Sequence, residues 1–276
     1  METIGEVIQP GQTREAFQRG ILERLPPHLR ESMAREFKRL NTLTEEELAA
    51  EMETQRKARE AESYRVYLEG LREGCGLRGQ QCRNIFSNYL PAGTPEQKRT
   101  QAAAAHAAKE FCKARPLPKI GLVFWGEEGR GKDHLLHAIT NTLMGQKRSL
   151  VVRYDFSLDI NRRLLAEWQR HDDPETATEA RLREADCVLI GDLHRLFGSA
   201  DRGVMAARVE EALWRIIDQA ASTGKPTLCF TTNFPLEGDS AGRDWYSMAG
   251  CDLGSRLASV AAWHEVQGPD RRRPNV

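Results

Sequence analysis

Two rhythms of apolar and polar positions divide the chain. Up to about residue 74 charged and polar residues dominate, and apolar ones such as Phe17, Ile21, Leu22 and Leu25 recur at helical spacing. Residues so spaced line one face of a helix, which predicts helices over 14–25 and 45–73. Pro26-Pro27 ends the first. The second opens on a capping box, with the Thr44 hydroxyl as cap and the Glu47 carboxylate returning to the cap backbone, and it stops at Gly74-Cys75-Gly76. After the punctuation of Leu90-Pro91-Ala92-Gly93-Thr94-Pro95, an alanine-rich helix is expected over 96–114, closed by Arg115-Pro116-Leu117-Pro118. Then the rhythm changes. Short apolar runs at 120–125, 149–154, 187–190 and 227–231 alternate with helical stretches. Continuous apolar runs suit strands covered on both faces, and their alternation with helices predicts βαβ units around a parallel sheet.

Composition adds limits. Hydrophobic residues make up 40% of the 276 and charged residues 29%, a globular balance. Forty basic residues offset forty acidic ones, so any contact with nucleic acid must come from a local patch of cations. No apolar run approaches the roughly 20 residues of a membrane-spanning helix. The first residues lack the basic-then-apolar order of a secretory signal. The six cysteines are scattered, which suits a reduced, cytoplasmic protein. Cys75 and Cys82 form half of a zinc-ligand pattern, without a second pair at ligand spacing.

The chemistry concentrates after the first apolar run. Gly126-Glu127-Glu128-Gly129-Arg130-Gly131-Lys132-Asp133 matches seven positions of the phosphate-binding G-x-x-x-x-G-K-[ST] loop, between an expected strand and an expected helix over 132–144. Glycines let successive N–H groups turn toward one phosphate, the helix N-terminus adds its dipole, and Lys132 reaches the β- and γ-phosphates. The last position departs from the rule. Asp133 replaces the hydroxyl residue that holds Mg²⁺, and its carboxylate is an alternative oxygen ligand.

The segment Gly131-Lys132-Asp133-His134-Leu135 resembles the G-K-x-H-L of bacterial and phage helicase loaders of the DnaC type, with DnaI loaders and IstB transposition helpers as relatives. The likeness covers roughly 78–276. It continues through Gln81-Cys82-Arg83-Asn84-Ile85-Phe86-Ser87-Asn88-Tyr89, Tyr154 to Ile160, Lys225 to Asn233 and Gly254-Ser255-Arg256-Leu257. It implies an α/β fold: a P-loop AAA+ three-layer core with a central parallel sheet, preceded by a helical N-terminal region. It also implies ATP and Mg²⁺ as cofactors, with nucleotide bound by residues 126–133 and His134. Asn233 would orient the attacking water, Arg256 would act on a neighbour's γ-phosphate, and Arg273 would be a second phosphate sensor, with Arg271 and Arg272 as rivals. Where the family has Asp-Glu after the third strand, this chain has Gly191-Asp192. The metal carboxylate is missing and the water-polarising acid is one methylene shorter. Asp133 and Asp192 together are the remaining candidates for Mg²⁺, and weak or absent ATP hydrolysis is expected.

Arg162, Arg163 and Trp168 share one expected helix over 158–169. Cations beside an aromatic suit single-stranded DNA, whose phosphates pair with arginine and whose bases stack on indole. The same pattern also describes an amphipathic helix with Trp168 in the core. Three regions are expected: 1–74, a partner-docking region; 75–114, a linker and lead-in helix; and 115–276, the ATP-binding domain. Phe17, Ile21, Leu22 and Leu25 either anchor a partner or pack the hairpin. The resemblance implies an accessory protein that docks on a replicative ring helicase through 1–74, helps load it onto single-stranded DNA, and self-associates through the ATP site. The alternatives are an IstB-like transposition helper and a non-enzymatic adaptor with a relic P-loop.

Overall fold

The computed structural model describes residues 13–146, 150–169, 176–196, 204–238 and 244–272. The chain divides into two compact units, 1–66 and 67–276.

The first unit is helical. Helices α1 (Arg14–Arg24), α2 (Pro27–Asn41) and α3 (Glu45–Cys75) follow one another. The Pro pair separates two helices and does not end the helical region. Pro27 stands at the first position of α2, where a missing N–H costs nothing because it has no intrahelical partner anyway. Arg30 closes the end of α1, its Nε donating to Leu25 O at 2.9 Å and a terminal nitrogen to Glu23 O at 3.2 Å. The Gln18 and Asn41 amides exchange hydrogen bonds at 3.1 Å and tie α1 to α2. The capping box at α3 forms as expected: Glu47 N–H donates to Thr44 Oγ1 at 3.3 Å and Thr44 N–H to Glu47 Oε2 at 2.9 Å. The last turns of α3, from residue 67, belong to the second unit, and no side chain described in residues 13–66 is buried.

The second unit holds a five-stranded parallel sheet in the order β2-β3-β4-β1-β5. Its strands are β1 (Gly121–Trp125), β2 (Val152–Phe156), β3 (Cys187–Gly191), β4 (Thr227–Thr232) and β5 (Ala261–Glu265). Alternate side chains leave a strand on opposite faces, so each apolar run feeds two cores. Val123, Val188, Ile190, Leu228 and Phe230 belong to one; Leu122, Phe124, Cys187, Leu189 and Cys229 belong to the other. The first core is completed by residues of α6 (Ser157–Trp168), α7 (Ala177–Arg183), α8 (Val204–Thr223), α9 (Trp245–Ala249) and α10 (Cys251–Val260). The second is completed by α4 (Pro95–Lys113) and α5 (Lys132–Gly145). Burying each of these aliphatic or aromatic side chains contributes roughly 1.5–3 kcal/mol, so the two cores dominate the unit's stability.

The fold class expected from the sequence is the one observed: an α/β P-loop core with helices on both faces of a parallel sheet, after a helical N-terminal region. Two details differ. The second strand begins three residues later than expected, because Val151 is held just before it by the Asp186 carboxylate, which accepts its N–H at 2.9 Å. The edge strand β5, Ala261-Ala262-Trp263-His264-Glu265, has no apolar run to announce it and pairs only with β1.

Candidate nucleotide site at the strand ends

The glycine-rich loop leaves the carboxyl end of β1 and enters α5. Gly126 has φ 135° and Gly131 has φ 97°, conformations that a side chain resists. A Cβ on Gly126 would also lie 2.6 Å from Val266 O. Lys132, the first residue of α5, is only 5% exposed. Its Nζ donates to Gly126 O at 2.7 Å, Glu127 O at 2.7 Å and Asn233 Oδ1 at 3.0 Å. All three ammonium hydrogens are thereby satisfied. Burial pulls the Lys132 pKa below the usual lysine range, against the opposing pull of Asp133, Asp192 and Glu128.

Thr231, in β4, joins the loop helix to β3. It is fully buried, donates to Asp133 Oδ1 at 2.7 Å and accepts the Asp192 N–H at 2.8 Å. Asp192 adopts φ 54°, unusual for a residue with a side chain. That backbone is fixed by Thr231 on its N–H and by the Ser157 hydroxyl, which donates to its carbonyl at 2.8 Å. Arg195 Nε lies 3.1 Å from Asp192 Oδ2. Burial, followed by the negative charge of Asp133, raises the Asp192 pKa. Among the described residues no group of three or more His, Cys, Asp or Glu side chains is arranged to hold a metal. The Thr231 hydroxyl ties the Asp133 carboxylate to the Asp192 backbone, and these two acids supply the hard oxygens that would suit Mg²⁺, which takes one or two carboxylates together with ligand phosphates.

Glu128 is the loop's third acid. Its Oε1 lies 3.4 Å from Asn233 Nδ2 and 3.8 Å from Arg195, and its Oε2 lies 3.4 Å from Arg272. Glu127 pairs with Arg130 at the loop's surface. A cavity of about 610 Å³ opens here, bounded by the loop, residues 233–235 and residues 265–268.

The chain's last described residues return to the loop. Arg271 N–H donates to Gly129 O at 3.0 Å, and its guanidinium lies 4.6 Å from the Tyr89 ring centre while bonding Gln101 Oε1 at 2.5 Å. Arg271 and Arg272 thus reach the loop by different routes; Arg273 lies outside the described residues. The His134 side chain is spent elsewhere. Its Nε2–H donates to Ile85 O at 3.1 Å and its ring meets Tyr89 edge-on at 5.3 Å. His137 accepts from Asn84 Nδ2 at 2.9 Å on Nδ1 and pairs with the Tyr154 hydroxyl at 2.7 Å through Nε2. Asn141 Nδ2 donates to Gln81 O and Asn84 O at 3.0 and 2.9 Å. The α5 face therefore clamps the segment before α4, and the His134 imidazole is part of that clamp.

Arg256 sits on α10, 2.5 Å from Asp218 Oδ1 and 5.4 Å from the Trp214 ring centre, with neither partner in the loop. At the end of β2, Asp155 is 7% exposed. Its two oxygens pair with Arg163 at 2.5 Å and Arg181 at 3.2 Å. Arg162 stays outside, 78% exposed and 3.5 Å from Asp159. Arg78, Arg162, Arg163 and Arg181 line a second cavity of about 530 Å³. Trp168 does not join them. It is 7% exposed and packs in the core that includes Ile160 and Leu164, so base stacking on this indole is withdrawn: the apolar side of an amphipathic helix took it. Thr231, Ser157 and Arg195 were not anticipated. The only hint was a hydroxyl residue inside the apolar run of β4.

Residues 81–224, more than half of the chain, match the bacterial DnaA ATPase domain. The chain belongs to that family. No curated protein matches it. Among solved structures, this DnaA-type domain is similar to the DnaC helicase loader, with a TM-score of 0.54 and 20% identity over 69% of this chain and 100% of that one. It is similar to DnaI, with 0.51 and 18% over 71% and 95%. Domain III of the Thermotoga maritima replication initiation protein DnaA gives 0.51 and 22% over 68% of each chain. These likenesses establish a shared AAA+ fold. No described helix is long and apolar enough to cross a membrane.

Proposed function

We propose that the chain is an ATP-binding, cytoplasmic replication accessory protein that docks on a replicative ring helicase and helps place it on single-stranded DNA. The observation that carries this reading is the Lys132 ammonium, buried and hydrogen-bonded to two loop carbonyls and the Asn233 amide at the mouth of a parallel sheet. Those are dipole partners that a phosphate, with full negative charge, replaces at a gain. Asn233 and Asp192 flank the position of a third phosphate, and Arg256 acts on a neighbouring copy's nucleotide, so the nucleotide joins adjacent copies. Arg273 supplies a further phosphate contact. Asp133 and Asp192 would hold Mg²⁺, which would supply neutralisation of phosphate charge. Hydrolysis is weak, because Gly191 offers no carboxylate where the family's metal ligand stands.

Residues 1–74 dock the partner, 75–114 lead in and 115–276 bind nucleotide. Support for docking comes from the first unit itself: no described side chain there is buried, and Leu29 and Met52 stand 44% and 36% exposed. Arg162 and Arg163 contact the DNA backbone, Arg162 as the more exposed cation.

The test is a loading assay with closed circular single-stranded DNA, a ring helicase and the full-length chain. Helicase should remain on the circle only when the chain and nucleotide are present. Arg162→Ala with Arg163→Ala should weaken recovery roughly tenfold and lower its salt dependence. Recovery that ignores the chain would reject the loader reading, and capture of a transposase on duplex DNA would replace it.

A further inference from the structure

We infer that the Glu128 carboxylate occupies the third-phosphate position of this site, so that the site takes a nucleoside diphosphate in preference to a triphosphate. The inference rests on the nucleotide-binding reading and specifies its ligand.

In a glycine-rich phosphate loop the lysine serves the second and third phosphates, and side chains beyond it neutralise the third. Here the groups beyond Lys132 are Asn233, Arg195 and Arg272. All three already have an anionic partner from the loop. Asn233 turns its Oδ1 to Lys132 and its Nδ2 toward Glu128, so its amide joins the ammonium to that carboxylate. Arg195 and Arg272 approach Glu128 at 3.8 and 3.4 Å. A carboxylate gathering an amide and two guanidiniums has the surroundings that a terminal phosphate would have.

Charge points the same way. Lys132, Arg195 and Arg272 face Asp133, Asp192 and Glu128, three cations against three carboxylates. A diphosphate entering at the backbone N–H groups leaves that arrangement intact. A third phosphate adds one net negative charge and places its terminal oxygens where Glu128 stands, and must first expel it. Glu128 can be expelled, because its side chain is 54% exposed and its contacts are long. The carboxylate therefore selects between ligands without closing the site, and a partner that draws Glu128 outward would admit the triphosphate.

The experiment is calorimetric titration of the full-length chain with ADP and with ATP, both with Mg²⁺, for the parent and for Glu128→Gln. Glutamine keeps the side chain's size and removes its charge. The parent should bind ADP roughly tenfold more tightly than ATP, and Glu128→Gln should erase that ratio by gaining ATP affinity while ADP changes by less than about threefold. A parent that binds ATP as tightly as ADP, or a ratio that Glu128→Gln leaves unmoved, overturns the inference and spares nucleotide binding. A parent that binds neither removes the nucleotide reading, and this inference with it.

Discussion

Two cavities open where strands of one sheet end, and beside each stands a buried charge, the two of opposite sign. At β1 the charge is the Lys132 ammonium, held by carbonyl and amide oxygens. At β2 it is the Asp155 carboxylate, held by the guanidiniums of Arg163 and Arg181. The partners differ in kind. Dipoles stabilise a buried cation only partly, so a phosphate that displaces them gains. Two full positive charges saturate a carboxylate and leave it nothing to exchange. The ammonium is therefore suited to exchange its partners for an anionic ligand. The second charge forms a joint, and the chemistry there lies outward, at Arg78, Arg162 and the outer part of Arg163, which stays 35% exposed while it pairs with Asp155.

The strongest way to break this contrast is to remove the charge from the joint. Asp155→Ala leaves two guanidiniums without their anion, and should destabilise the fold by about 3 kcal/mol, the lower end for a buried pair because both can turn toward water. Urea unfolding measures this. A loss under about 1 kcal/mol would make the joint dispensable and the contrast empty.

A second test lies at His137 on α5, which bonds Tyr154 in the middle of β2. Burial, only partly offset by the Asp133 charge, lowers the His137 pKa to about 4 from 6.5. The folded state thus favours the neutral ring. Its contribution is complete above pH 6.5 and is lost as the unfolded chain takes up a proton that the folded chain refuses, down to about pH 4. Between pH 7 and 4.5 this linkage should cost about 2 kcal/mol, and His137→Gln should remove that part of the slope. An unchanged slope in the variant would place the acid sensitivity elsewhere; His194, also lowered to about 4 by burial, is then the next residue to substitute.

Much of this was legible in the chain's pattern, and the limits are physical. Apolar runs located β1, β3 and β4, since strands buried on both faces must be apolar throughout. Glycines located the loop, because only they take its positive φ without strain. Edge strand β5 escaped notice because one neighbour suffices it and its Trp-His-Glu sequence carries no period. The cluster around Asp192 escaped for another reason: Thr231 and Ser157 are far from it in sequence, and only the sheet order brings them to it, while Arg195, three residues on, reaches back through a local turn that no apolar pattern marks. Trp168 shows the converse. Its helix was anticipated over 158–169, but the pattern left open which face the indole takes, and packing decided for the core.

The central claim is that the buried ammonium at β1 exists to meet phosphates. Titrating Lys132→Ala and the parent with ADP under the same buffer tests it most directly. The account predicts a fall in affinity of roughly 100-fold, as for loss of charge-assisted bonds to phosphate, with the variant still folded by circular dichroism. Equal affinity in the folded variant would contradict it.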